Sequence, residues 1–267
     1  MNLFSLKNKT AIVTGALGLL GKEHCKALSY AGANIIVCDT DRIKCEKFAK
    51  SLKTKSIGCF LDLRDEYSIK ETKSIVLDEF KKIDILINNA AINDMFENPK
   101  TSLEKSKFEN YPIEMWENSI SVNLTGTFKC CQIIGSEMAK QKKGNIINIA
   151  STYGIVAPNQ DLYKNKNGKQ LFYKPPAYSV GKSGVIGLTK YLAAYWGPYG
   201  IRVNTLSPGG VENNQDKFFI EQYSNRTPLK RMAKSNDFWG AIIFLASDAS
   251  SYMNGANLVI DGGFTIW

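Results

Sequence analysis

Short apolar runs alternate with longer amphipathic stretches along the whole of this chain. The runs are Thr10–Thr14, Asn34–Cys38, Ser56–Leu61, Ile83–Asn88, Asn145–Ala150, Arg202–Leu206 and Asn257–Ile260, each the length of a buried strand. Between the first two, Leu20, His24, Ala27, Leu28 and Ala31 recur at helical spacing until Gly32 stops the helix. Segments 66–80, 114–140, 179–196 and 237–246 carry the same helical pattern. Strand–helix alternation of this kind builds a parallel, doubly wound sheet with helices on both faces. No repeat or low-complexity linker divides the chain, so the expected fold is α/β with one domain over 1–267 and a sheet of about seven strands.

Two stretches break the rhythm. Residues 155–177 are polar and rich in Asn, Lys and Pro, and residues 210–230 carry Phe218, Phe219 and Tyr223. Both follow strands, so both should hang over the carboxyl edge of the sheet, where open α/β sheets bind ligands. Loops of that length are expected to be lids or substrate walls.

The first strand runs into TGALGLLG, residues 14–21. Glycines there let the backbone turn sharply and approach a pyrophosphate, whose charge the amides of a helix N-terminus meet. The glycines fall at Gly15, Gly18 and Gly21, three apart, and not in the G-x-G-x-x-G order. Asp39 closes the second strand, where a carboxylate accepts hydrogen bonds from both ribose hydroxyls and repels a 2′-phosphate, so NAD is expected over NADP. The alternative for Asp39 is an N-cap of the next helix. Arg42 is near enough in sequence to keep some NADP use open.

Tyr178 and Lys182 are four apart on a predicted helix and so share a face. A free tyrosine, with a pKa of about 10, is a poor base at neutral pH. A neighbouring Lys⁺, helped by a positive nicotinamide ring, is expected to lower that value.

The formal charge of +9, from 34 Lys and Arg against 25 Asp and Glu, admits nucleic acid, a membrane surface or an anionic metabolite as partner. The bases are scattered without a stripe, which points to a solvated surface biased toward acidic small molecules, with neither nucleic acid nor membrane expected. Cys25, Cys38, Cys45, Cys59, Cys130 and Cys131 form no C-x-x-C, and His24, the single histidine, completes no metal cluster. Reduced buried thiols and no metal are expected. Charged Lys7-Asn8-Lys9 runs straight into a strand, and no apolar run reaches membrane-span length, so the expected location is the cytoplasm.

In order, the chain carries TGALGLLG, Asp39, Asp62-Leu63, Asn88-Asn89-Ala90-Ala91, Asn123, Ser151, Tyr178-x-x-x-Lys182 and Ser207-Pro208-Gly209-Gly210. This ordered set resembles the short-chain dehydrogenase/reductase family in its single-domain Rossmann form, over nearly the whole chain. The resemblance implies an NAD-dependent oxidoreductase that interconverts a secondary alcohol and a ketone. Tyr178 would be the acid/base, Ser151 would hydrogen-bond the substrate oxygen, and Lys182 would bind the nicotinamide ribose and tune Tyr178. Asn123 would hold a water linking Lys182 to solvent. Thr14, Gly15, Leu17, Gly18, Leu20 and Gly21 would cradle the cofactor with Asp39. Asp62 and Leu63 would meet the adenine, Asn89, Ala90 and Ala91 would line the cofactor, and Pro208, Gly209 and Val211 would approach the nicotinamide. It also implies a homo-oligomer, a tetramer or dimer, with helices near 114–140 and 179–196 at one interface.

The chain departs from the family pattern in places. Leu19 stands where the usual T-G-x-x-x-G-x-G has its middle glycine, and this spacing is similar to that of sugar-nucleotide epimerases and dehydratases, which recycle NAD. That remains the alternative reading, with a non-catalytic NAD(H) sensor the third. Ala91 replaces the glycine of NNAG, and Val211-Glu212-Asn213 has no counterpart to a threonine that bonds the carboxamide. The segment before Tyr178 is longer than usual and carries Lys164, Lys166, Lys169 and Lys174, which points to a sugar, phosphosugar or nucleotide-sugar substrate, the alternative being a solvated insertion that does not touch substrate. Its end, with Thr227-Pro228-Leu229-Lys230-Arg231, resembles family members of bacterial surface-sugar and flagellin-modification pathways.

Overall fold

A computed structural model describes residues 3–93 and 99–267. Seven parallel strands form one sheet in the order β3-β2-β1-β4-β5-β6-β7. They are β1 Thr10–Thr14, β2 Asn34–Asp39, β3 Ser56–Phe60, β4 Ile85–Asn88, β5 Gly144–Ile149, β6 Ile201–Pro208 and β7 Asn257–Ile260. The register is that of neighbouring crossovers, with Ile12 opposite Ile36 on one side and Leu86 on the other.

Strand side chains alternate between two helical layers, as a pleat requires. Ala11, Val13, Ile35, Val37, Ile85 and Ile87 pack with α1 Leu19–Tyr30 and α10 Trp239–Ala246. Ile12, Ile36, Leu86, Ile146 and Val203 pack on the other face with α3 Glu66–Phe80 and α8 Pro176–Trp196. Because both faces are covered, the strands read as nearly unbroken apolar runs. All six cysteines are buried and unpaired in these layers.

The helix expected over 114–140 runs from Ile113 to Gln141, but it is interrupted. α5 Ile113–Ile120, α6 Thr127–Cys130 and α7 Ser136–Gln141 are joined by π-helical turns at Ser121–Gly126 and Cys131–Gly135. Three helices lie outside the sequence expectation: α2 Arg42–Ala49, α4 Pro99–Ser106 and α9 Lys217–Asn225. Among the described residues no helix is long and apolar enough to cross a membrane.

Candidate active site

Strand order reverses between β1 and β4, and their carboxyl ends open into a cleft of 1610 Å³. Gly15 has φ +62°, and a Cβ there would meet Ala90 Cα at 2.6 Å, so glycine is what allows the loop to cross β4 this closely. A Cβ on Gly21 would lie 2.1 Å from Gly15 O. The fork is stitched by polar side chains. Thr14 Oγ1 accepts from the amides of Asn89 and Ala90 at 3.1 Å each, and Asn89 Nδ2 donates to Thr14 O at 3.1 Å and Gly15 O at 3.0 Å.

The fork fits a dinucleotide. α1 starts after Gly18 with no side-chain cap, and the first-turn amides have no acceptor within the helix, so the positive end of α1 meets the cleft. Gly15, Leu17, Gly18 and Leu20 line it there. Asp39 stands beside them and does not cap α2; Asp41 does, accepting from Lys44 N. The Asp39 carboxylate instead accepts from Leu17 N at 2.9 Å and Thr40 N at 2.8 Å, which fixes it at the cleft wall. Arg42 turns away onto Glu46, Nε to Oε1 2.9 Å. Arg64, which the sequence reading passed over, lines the cleft but is held by Asp62 through two bonds, Nε to Oδ1 3.0 Å and Nη2 to Oδ2 2.7 Å. That pairing holds the Asp62 carboxyl below its ordinary value. Leu63, Ala90, Ala91, Pro208, Gly209 and Val211 complete the long wall.

Deeper in the cleft, Ser151 follows β5, and Tyr178 and Lys182 project from the first turns of α8. Pro at the first helical position starts α8 without needing an amide partner, so the four-residue spacing begins in register. Lys182 is buried, donates to Ile149 O at 2.7 Å, and lies 5.9 Å from the Tyr178 ring centroid. Burial pushes its ammonium down to about 8. Burial also raises the half-buried Tyr178 phenol above its ordinary value, while a hydrogen bond with Ser151 opposes the rise. The protein alone therefore leaves Tyr178 protonated at neutral pH, against the lowering that the sequence suggests.

Asn123 sits in the first π-helical turn, and its side chain pairs with one backbone unit. Oδ1 accepts from Ile92 N at 2.8 Å, and Nδ2 donates to Ile92 O at 2.9 Å. It thereby braces the segment after β4. Thr14, Gly21 and Asn123 do not themselves line the cleft; they shape it from behind, whereas the other expected site residues line it.

The outer wall is a folded lid. Within 155–177, a 3-10 turn at Gln160–Tyr163, a bridge between Lys164 and Gln170 and a bend at Gly168 (φ +77°) give the insertion an apolar underside. Leu162 and Tyr163 pack on Phe172, and on Phe219 and Tyr223 of α9. Tyr163 Oη donates to Tyr153 Oη at 3.2 Å, and Tyr223 Oη accepts from Gly210 N at 2.6 Å. Of the loop lysines, Lys164, Lys166 and Lys174 line the cleft, Lys164 while paired with Asp161 at 2.6 Å, and Lys169 lies off it. Tyr153 and Tyr163 also face the cleft, and nothing in their spacing marked them. Among the described residues no group of acidic, histidine or cysteine side chains is arranged to hold a metal.

The family model described as enoyl-(acyl carrier protein) reductase matches residues 15–265. A D-threitol dehydrogenase of Mycolicibacterium smegmatis is 34% identical, over 98% of this chain and 95% of its own. An NAD-dependent glycerol dehydrogenase of Listeria innocua is 30% identical, over 98% and 96%. The crystal structure of a gluconate 5-dehydrogenase from Burkholderia cenocepacia, in complex with NADP and tartrate, superposes with a TM-score of 0.85 at 28% identity, covering 100% of this chain and 98% of that one.

Proposed function

The chain belongs to the short-chain dehydrogenase/reductase family of NAD(P)-dependent oxidoreductases, and from that premise we propose that it is an NAD-dependent dehydrogenase of polyols or sugar acids, working as one domain in the cytoplasm. The observation that carries this reading is the convergence of Ser151, Tyr178 and Lys182 on one wall of a dinucleotide-shaped cleft. When bound, the cofactor supplies the hydride acceptor or donor. The residues from Gly15 to Leu20 would hold its diphosphate, Asp39 its ribose, Asp62 and Leu63 its adenine, and Pro208 to Val211 its other end. Tyr178 Oη takes the proton of the substrate hydroxyl, Ser151 Oγ orients the substrate oxygen, and Lys182 supports the phenolate and would hold the cofactor's ribose. Asn123 keeps the Ile92 backbone in place behind them.

Three features support NAD over NADP. The Asp39 carboxylate is fixed at the cleft wall, a charge that would repel a 2′-phosphate, and both nearby arginines are committed to carboxylates. A hydroxyl-rich substrate fits a wall that offers Tyr153, Tyr163 and the lid lysines, and the relatives named for threitol, glycerol and gluconate point the same way. The exposed Tyr191–Tyr195 stack on α8 and the exposed Phe128 support a homo-oligomer, which sedimentation would test.

The test is absorbance of reduced nicotinamide with NAD⁺ or NADP⁺ against a panel of polyols and sugar acids. NAD⁺ reduction by one class is expected, and Tyr178→Phe should lose at least about 100-fold in turnover. A Tyr178→Phe enzyme that kept its rate would remove Tyr178 from the chemistry. Product formed with no net change in dinucleotide would favour the epimerase or dehydratase reading. Asp39→Ala should narrow the NAD/NADP gap, and an unchanged ratio would dismiss the ribose role.

A further inference from the structure

Tyr178 faces a second cation besides Lys182. The Lys174 ammonium lies 4.5 Å from the Tyr178 ring centroid, closer than Lys182 Nζ at 5.9 Å. It comes from the lid and not from α8, and the lid is built to hold it. Lys174 Nζ donates to Asn93 Oδ1 at 2.6 Å, and its backbone amide donates to Gln160 Oε1 at 2.8 Å. Gln160 is itself fixed, because its carbonyl accepts from Gln170 Nε2 at 2.9 Å. Next door, Tyr173 N donates to Ser106 Oγ of α4 at 2.9 Å, and Pro175 confines the Lys174 backbone to the extended region.

A cation over a tyrosine face is attracted by the neutral ring and far more strongly by the full charge of a phenolate. It therefore favours loss of the proton from Oη. Among the described residues, the other groups acting on or coupled to this phenol are Ser151 after β5, Lys182 on α8, and the hydroxyls of Tyr153 and Tyr163, whose own ionisation Tyr178 opposes.

We propose that Lys174 is a positioning residue for the acid–base step, a second ammonium group that the lid sets on the Tyr178 ring to favour the phenolate alongside Lys182. This rests on Tyr178 being the acid/base of the proposed reaction. The lid thereby acts on the chemistry and not only on substrate access.

The experiment titrates Tyr178 directly, by NMR of protein labelled at tyrosine Cζ, with Tyr178→Phe identifying the signal. Lys174→Met is expected to raise the Tyr178 midpoint by about one pH unit, and Lys174→Arg to restore it. In alcohol oxidation, the rising limb of kcat/KM against pH should move by the same amount. The rate then falls about tenfold at a fixed pH below the limb, with the high-pH plateau kept. Should Lys174→Met not fold, Lys174→Gln, which removes the charge and keeps a polar chain beside Asn93, should give the same rise. An unmoved midpoint in a folded variant overturns the proposal. So does an unmoved limb with a raised KM confined to acidic substrates, which would make Lys174 a substrate grip. A midpoint that moves in a protein oxidising no alcohol would sink the dehydrogenase reading and the acid–base role with it, whereas an unmoved midpoint in an active enzyme sinks this inference alone.

Discussion

His24 lies on the apolar stripe of α1, fully buried, and neither ring nitrogen has a hydrogen-bond partner among the described residues. The stripe itself was legible in the sequence, as helical spacing from Leu20 to Ala31. The missing partner was not, because it depends on what α1 meets across the layer. Burial pushes the imidazole down to about 4 from 6.5, so the folded chain holds it neutral while the unfolded chain protonates it below 6.5. Stability from this group is complete above pH 6.5 and is lost as pH falls toward 4, where the penalty approaches about 3 kcal/mol. His24→Leu should be about 1 kcal/mol more stable at pH 7, and its advantage should widen over that window. Denaturant melts at pH 7 and pH 5 check this; a constant difference would mean the imidazole finds a partner. The same division runs through the site. Tyr178 and Lys182 were legible because their relation is local to one helix. The bond from Leu17 to Asp39 and the clasp of Asn123 on Ile92 join residues far apart in sequence, and no spacing announces them.

Helix ends show the same limit one level up. α7 closes on Lys142 with φ +52°, and α3 closes on Lys81 with φ +63°, both left-handed without glycine. A side chain there costs about 1–2 kcal/mol, part of which glycine returns through its freer unfolded chain. Lys142→Gly should therefore stabilise the protein by about 0.5 kcal/mol, read as a higher urea midpoint with an unchanged slope. A lower midpoint would show that the Lys142 side chain contributes packing. The seven strands were legible as short apolar runs covered on both faces, and the helix at 66–80 because it buries a periodic face. α2 buries only Cys45 and Ala49, so it carries no stripe to read. The π-helical turns inside 113–141 left no mark either, since a wider turn changes the periodicity by a single residue.

At the scale of the molecule, the cleft opens at the carboxyl ends of the paired β1 and β4, so a ligand there touches loops from both halves of the sheet. Binding to the folded state alone adds about 2.7 kcal/mol at a hundredfold excess over Kd. In a chain of this size NAD⁺ should raise Tm by several degrees, at about 2–4 °C per kcal/mol. At equal concentration NADP⁺ should raise it less; equal shifts measured by scanning calorimetry would remove the case for discrimination by Asp39. The architecture was legible from strand–helix alternation, but the apolar underside of the lid was not, because its polar composition hides Leu162 and Tyr163. The six thiols carry a last consequence. They sit in α1, β2, α2, β3, α6 and the second π-helical turn, and no more than 3% of any one is exposed. A thiol reagent added to the native protein should thus colour nothing at first, and each labelled sulfur timestamps an opening event. Because Cys25, Cys38, Cys45 and Cys59 all belong to the half of the sheet beside β1, the order of labelling works as a stopwatch with two hands, telling whether that half lets go before the other.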